Sequence, residues 1–318
     1  MCDARAIAIT GASGLIGRAL CAHLAQEGYR VIALSRSRAA FSAQGQTVEA
    51  IKWDPHDPSG LTEVLAGVHG IVHLAGENLA TGRWTKAKKN RLVASRVNSG
   101  RALVEALRQA SQKPEVFIQA SAIGYYPTGA SEPLSEDTAP GVGFLPDLVV
   151  QWERSTVELE QLGIRRVIIR SAPVLSTAGG ILRKVLVPFR LGLGGYFGSG
   201  EQPFPWIAID DEVAAIAFLL GHPTASGAYN LAAPETVTMR EFCHTLGKVM
   251  RRPSWFHVPA PVLREFFGQM ADDVLLTGSW VSPWRLLDLG FTFRYGELTA
   301  ALRHLLAKPT RSYGEGGA

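Results

Sequence analysis

Near the start of the chain, the apolar run Ala6–Thr10 leads into Gly11-Ala12-Ser13-Gly14-Leu15-Ile16-Gly17. Glycines at this spacing, between a buried strand and a helix, can cradle a pyrophosphate. Gly11 permits the tight turn, Gly14 removes a Cβ from the path of the phosphates, and Gly17 lets the helix approach the strand. Backbone N–H groups of Ser13, Leu15 and Ile16 would then face the anion from the helix N-terminus. A second candidate strand ends in Ser35-Arg36-Ser37-Arg38, without the Asp or Glu that would hold a ribose 2′-hydroxyl. The Ser35 hydroxyl and the Arg36 guanidinium suit a 2′-phosphate, which Arg can grip with two parallel hydrogen bonds. The expected cofactor is therefore NADP(H). A later strand runs into Leu74-Ala75-Gly76-Glu77-Asn78. Its small residues would let a cofactor sugar lie against the backbone, with Glu77 in reach of the ribose and Arg83 in reach of phosphate.

These residues need a scaffold that aims strand ends at one crevice. Candidate strands are Ala6–Thr10, Arg30–Ser35, Val48–Trp53, Gly70–Leu74, Val116–Ser121 and Arg166–Ser171. Several, such as AIAIT and RVIIR, are continuous apolar runs of the kind buried on both faces of a sheet. Helical patterns over Leu15–Glu27, Leu61–Leu65, Lys86–Ala110 and Leu148–Leu162 separate most of them. The alternation predicts a Rossmann-type α/β fold with a doubly wound parallel sheet. Beyond Ser171 the rhythm breaks. Leu191–Gly200 reads as a loop, a helix starts near Asp210-Asp211, and Ala228–Leu231 could return to the sheet as a strand. Helices are expected over Met239–Met250, Val262–Leu276 and Leu298–Leu306. The expected division is a nucleotide-binding domain over residues 1–172, rejoined by 205–232. A smaller, mostly helical cap lobe takes 173–204 and 233–307, and residues 308–318 form a disordered tail.

Composition narrows the function classes. A net charge of +4 without a long run of one sign does not point to nucleic acid. No apolar run is long enough to span a bilayer, and no signal-peptide pattern opens the chain. Cys2, Cys21 and Cys243 are scattered and odd in number, so they read as reduced thiols of a cytoplasmic protein. No histidine pair has ligand spacing, so no metal site is expected.

Taken together, TGASGLIG, HLAGEN, the serine strand QASAIGYY and the following helix resemble the short-chain dehydrogenase/reductase superfamily in its extended, epimerase-like branch. The chain is more similar still to an atypical subgroup, the epimerase family of YfcH-type proteins with their own C-terminal domain. Arg83-Trp84, RSAPVL, PFRLGLGG, PWI, YNLAAPE and GFTFRY carry that resemblance over nearly the whole length. It implies a nicotinamide cofactor and a Ser/Tyr/Lys centre. The serine falls on Ser121. The tyrosine and lysine positions, located from Glu153, fall on Leu145 and Val149, neither of which can move a proton.

Another donor is then needed within reach of the substrate oxygen. Tyr125, which resembles the loop tyrosine of epimerases, is the expected one beside Ser121. A phenol acts near neutral pH only next to a cation, and Arg96 is expected to supply it. Trp206, in PFPWI, offers either a cap over the substrate or a core side chain. The leading expectation is an NADP(H)-dependent oxidoreductase or epimerase-like enzyme on a small molecule. Two rivals stay open: a sugar-nucleotide epimerase or dehydratase, and a non-catalytic NADPH-sensing regulator of the division-inhibitor-like kind. A homodimer through Lys86–Ala110 and Leu148–Leu162 also stays open.

Overall fold

A computed structural model describes residues 5–35, 48–54 and 60–307. Arg36 and the tail from residue 308 lie outside them. Within the described residues, β1 (Ala6–Thr10), β2 (Arg30–Ser35), β3 (Val48–Lys52), β4 (Gly70–His73), β5 (Val116–Ala122) and β6 (Arg165–Ser171) keep close to their expected bounds. They alternate with α1 (Leu15–Gln26), α2 (Leu61–Leu65), α3 (Lys86–Gln109) and α4 (Phe144–Arg154). After β6 come β7 (Val174–Leu175), α5 (Gly180–Arg190), β8 (Gly195–Phe197), β9 (Pro203–Phe204), β10 (Ile207–Ala208), α6 (Ile209–Gly221) and β11 (Gly227–Leu231). The last part holds β12 (Val237–Thr238), α7 (Met239–Met250), β13 (Phe256–Val258), α8 (Ala260–Phe267), α9 (Trp284–Asp288) and α10 (Leu298–Ala307).

Seven strands form one sheet in the order β11-β6-β5-β4-β1-β2-β3, all parallel. This is the Rossmann arrangement. All five residues of β1 are buried because helices cover both faces. On one face, Leu20, Cys21 and Leu24 of α1 pack with Val213, Ile216 and Leu219 of α6. On the other, Leu61 and Leu65 of α2 pack with Leu103, Val104 and Leu107 of α3. The order reverses between β1 and β4, so a crevice opens at the C-terminal strand ends there. A separate apolar cluster joins α5, α7 and α10 around Trp206, Phe204 and Phe242.

Some local expectations change. The helix expected over Leu148–Leu162 begins at Phe144 and stops at Arg154. Ser155 caps it by donating to the Trp152 carbonyl at 2.7 Å, and the buried Thr156 hydroxyl donates instead to Gln119 of β5. A 3-10 segment, Val157–Leu162, follows. The helix expected over Val262–Leu276 breaks at Gly268, where φ is +58°. The loop Leu191–Gly200 contains β8, which pairs in parallel with β13. Trp206 is 0% exposed and belongs to the core, not to a cap over the cleft.

Candidate functional site

The site is built from the ends of β1, β4, β5 and β6. Thr10 ends β1 fully buried, accepting from the Ala75 amide at 3.3 Å and bonding His73 Nδ1 at 2.7 Å. The Ser99 hydroxyl donates to the Ser95 carbonyl at 2.8 Å and so accepts from His73 Nε2 at 3.2 Å, which leaves Nδ1 of the neutral ring to accept from Thr10. Burial, with the nearby charge of Arg96, pushes the His73 pKa down to about 3. This polar clasp ties β1 to β4 beneath the glycine loop.

Gly11 has φ +65°, and a Cβ there would fall 2.7 Å from the Leu74 carbonyl carbon. A Cβ on Gly17 would fall 2.4 Å from the Gly11 oxygen. Both contacts are with backbone that cannot swing away, so both glycines are required by packing. A Cβ on Gly14 would meet only the Gly11 oxygen, at 3.2 Å, and would otherwise stand in open space. The α1 N-terminus carries no side-chain cap and no acid in its first turn, so its positive end is left to the crevice. There a cleft of ≈ 380 Å³ is lined by Gly11, Gly14, Leu15, Ile16, Gly17 and Leu74 toward one end and Ser121, Trp152, Ser171 and Glu212 toward the other.

Ser13, Ser35, Ala75, Gly76, Glu77 and Arg83 do not line this cleft, and Arg36 lies outside the described residues. Ser13 gives its carbonyl to Arg18 Nε at 2.8 Å. Ser35 is buried at the end of β2, where its carbonyl accepts from the Trp53 amide at 2.9 Å. Ala75 is held by Thr10. A Cβ on Gly76 would come within 3.2 Å of the Arg96 guanidinium carbon. The Glu77 carboxylate is engaged by Lys88 Nζ at 2.7 Å and Arg91 Nε at 3.5 Å, and the Lys88 hydrogen bond holds its pKa below the usual value. Glu77 therefore anchors its loop to α3. The Arg83 guanidinium lies beside Gly268.

At the β5 and β6 ends a buried polar network appears that sequence reasoning did not assemble. Ser121 donates to Glu153 Oε1 at 2.5 Å. Arg170 grips the same carboxylate with two N–H groups, at 2.9 and 3.0 Å. Glu153 is thereby committed to three donors. Arg170 also donates to Tyr126 at 3.0 Å and to the Glu136 carbonyl at 3.2 Å. Burial pulls the Arg170 pKa down, but the Glu153 carboxylate outweighs it and the net displacement is upward. Tyr126 in turn donates to Asn230 of β11 at 2.7 Å, and burial pushes its pKa up to about 12.

The Arg170 guanidinium carbon sits 3.5 Å from the centre of the Tyr125 ring. The cation beside Tyr125 is thus Arg170 and not Arg96. Arg96 stacks on Trp152 at 5.0 Å and donates to the Leu92 and Glu77 carbonyls at 3.0 and 2.9 Å. Leu145 and Val149 join Trp84, Leu92, Leu148 and Met270 in one apolar cluster beside Tyr125.

The missed members carried faint signals. Arg170 closes RVIIR after the apolar Val167-Ile168-Ile169 centre, and Glu153 sits on an apolar helix face. Glu212 was hidden in Asp210-Asp211-Glu212, which reads as ordinary acid at a helix N-terminus. No cluster of His, Cys, Asp or Glu suited to a metal occurs among the described residues, and no helix among them is long and apolar enough to cross a membrane.

Residues 7–145 match the NAD dependent epimerase/dehydratase family, and residues 258–305 match a domain of unknown function, DUF1731. An epimerase family protein of Mycobacterium bovis is 38% identical over 307 residues, covering 95% of this chain and 98% of that one. This chain belongs to the epimerase family. Another epimerase family protein, from Staphylococcus haemolyticus, is 36% identical, covering 94% of this chain and 98% of that one. The human epimerase family protein SDR39U1 (isoform 2), solved with NADPH, superposes with a TM-score of 0.85 at 32% identity. That match covers 94% of this chain and 98% of the human one. UDP-glucuronic acid 4-epimerase from Bacillus cereus, solved with NAD, has a TM-score of 0.76 and covers 94% of this chain and 96% of its own, but at 18% identity it shares the fold alone with this epimerase family member.

Proposed function

We propose that this protein is an NADP(H)-dependent oxidoreductase or epimerase-like enzyme acting on a small molecule. One observation carries the reading: a single cleft joins a glycine-built phosphate cradle to Ser121. The residues fit a dinucleotide, since Gly14 leaves the cleft open and the uncapped start of α1 offers N–H groups with no acid to repel phosphate. The human relative solved with NADPH supports the phosphorylated form, as does Ser35-Arg36 in the sequence. When bound, the dinucleotide supplies or accepts a hydride. Ser121 has lone pairs left for a substrate hydroxyl while its own proton lies on the path to Glu153. Ser121 can then accept a hydrogen bond from a substrate hydroxyl and orient it, while Glu153, gripped by Arg170, holds the Ser121 proton in place. Trp152, Ile169 and Pro173 line the same end and exclude water.

The apolar cluster at Leu145 and Val149 favours a second reading, an NADPH-sensing regulator, because no proton carrier stands on that helix face. The same cluster weighs against a sugar-nucleotide epimerase, whose chemistry needs a base at the sugar hydroxyl. Calorimetry with NADPH and NADP⁺, followed by stopped-flow oxidation of bound NADPH against a carbonyl library and UDP- and dTDP-sugars, separates these. The enzyme reading expects binding and turnover, with Arg36→Asp shifting preference toward NADH. Binding without turnover, together with NADPH-dependent partner capture, supports the regulator. A folded protein that ignores both nucleotides overturns the cofactor assignment.

A further inference from the structure

We infer that Glu212, held by Ser171, is a two-point hydrogen-bonding anchor for a primary carboxamide at the far end of the cleft, the group that the nicotinamide half of the dinucleotide carries. The inference rests on the dinucleotide reading above and assigns one side chain within it.

Glu212 stands in the first turn of α6, is 0% exposed and lines the cleft. Its Oε1 accepts from the Ser171 hydroxyl at 2.7 Å, whereas its Oε2 has no hydrogen-bond partner. No ion pair reaches it among the described residues, in contrast to Glu153. Its neighbours on α6 have other work. Asp211 accepts from the Arg294 and Tyr295 amides at 2.9 Å each, and Asp210 lies 3.3 Å from His304. An ionised carboxylate without a counter-charge is expensive in such a place, so the group stays neutral. Burial accordingly pushes its pKa up to about 8, only partly offset by Ser171.

A neutral carboxyl presents one O–H donor and one acceptor oxygen side by side. A primary carboxamide presents the complementary C=O and N–H pair. Position selects that group over others. The glycine loop fixes the phosphates near β1, and a doubly wound crevice splits the two halves of a dinucleotide across its switch point. With the adenosine half directed toward Ser35 at the β2 end, the other half lies toward β5 and β6, where Ser171 and Glu212 stand. Pro173, Val174 and Ile181 line that end with hydrocarbon, as a flat aromatic ring requires. A lone buried carboxyl there destabilises the fold, which is the usual signature of a group kept for a ligand.

The test compares Glu212→Gln, Glu212→Met and Ser171→Ala by calorimetry with NADPH and with adenosine 2′,5′-bisphosphate, which lacks the nicotinamide half. Glutamine keeps a donor beside an acceptor and is expected to bind NADPH within about threefold of wild type. Methionine keeps the volume without the polarity and is expected to lose about tenfold or more. Ser171→Ala should fall between the two. All variants should hold the bisphosphate as wild type does, and Glu212→Met should melt no lower than wild type. Unchanged NADPH affinity in Glu212→Met, with the bisphosphate bound normally, overturns the anchor. So does an equal loss for both ligands, which would mean general distortion of the cleft. If wild type binds neither ligand, the dinucleotide reading itself fails.

Discussion

Replacing Glu153 by Gln removes one charge without changing the side chain's shape, and the structure gives its cost. Arg170 is 5% exposed, and Glu153 is its only carboxylate partner among the described residues. In the variant, a buried guanidinium keeps Tyr126, the Glu136 carbonyl and the Tyr125 ring but no anion. Whichever way the new amide turns, its NH₂ faces a donor, either Ser121 and Arg170 Nε or Arg170 Nη2. Breaking a buried pair by removing one partner costs about 3–5 kcal/mol. For a chain of this size that corresponds to a fall in melting temperature of roughly 4–8 °C. Glu49→Gln is the control, because the Arg30–Glu49 pair at 2.7 Å is half exposed and should contribute about 0–1 kcal/mol. The double variant Glu153→Gln/Arg170→Met should recover about 2 kcal/mol or more, since the stranded charge leaves with Arg170. Urea unfolding of the four proteins measures all of this. A Glu153→Gln variant indistinguishable from Glu49→Gln would refute the claim that the pair is desolvated and holds the β5 and β6 ends together.

Two further outcomes follow from the geometry. Gly14→Val should melt within about 3 °C of wild type, because its Cβ presses only on the Gly11 oxygen at 3.2 Å and the rest enters open space, yet lose tenfold or more in NADPH affinity by calorimetry; a normal affinity would place the phosphates elsewhere. Glu212 has a folded pKa of about 8 against a usual 4.5, so the folded state keeps a proton that the unfolded chain releases. That contribution is fully present below pH 4.5 and is lost as pH rises toward 8, at roughly 1.4 kcal/mol per pH unit. Glu212→Gln abolishes the slope, and its stability advantage over wild type, read by urea unfolding, should widen between pH 5.5 and 7.5; a constant difference would show that Glu212 is not held neutral.

The scaffold was legible because its signals are local. Continuous apolar runs marked strands covered on both faces, and GASGLIG marked the turn that only glycine can make against Leu74. What escaped depends on distant partners. Nothing near Thr156 announces that its hydroxyl will bond Gln119 and end α4 early. The break at Gly268 had a local cue, the glycine itself, outweighed by the apolar spacing around it. At the site, Ser121 could be placed by its strand end. Its link to Glu153 could not, because Arg170 and Glu153 meet only when β6 packs against α4. Arg96 was set beside Tyr125 by proximity in an expected cleft. The real cation comes from a strand that, in sequence, looks like plain core.

The edge strand of the sheet that comes last in the chain, β11, follows β7 to β10, α5 and α6. Until it arrives, the outer edge of β6 is bare along its buried Val167-Ile168-Ile169 run. A nascent chain that has cleared the ribosome only through Ser171 thus holds an unfinished sheet with an adhesive margin. The protein cannot be cut into a nucleotide-binding half and a remainder at that point, because the piece that seals the first half is encoded in the second.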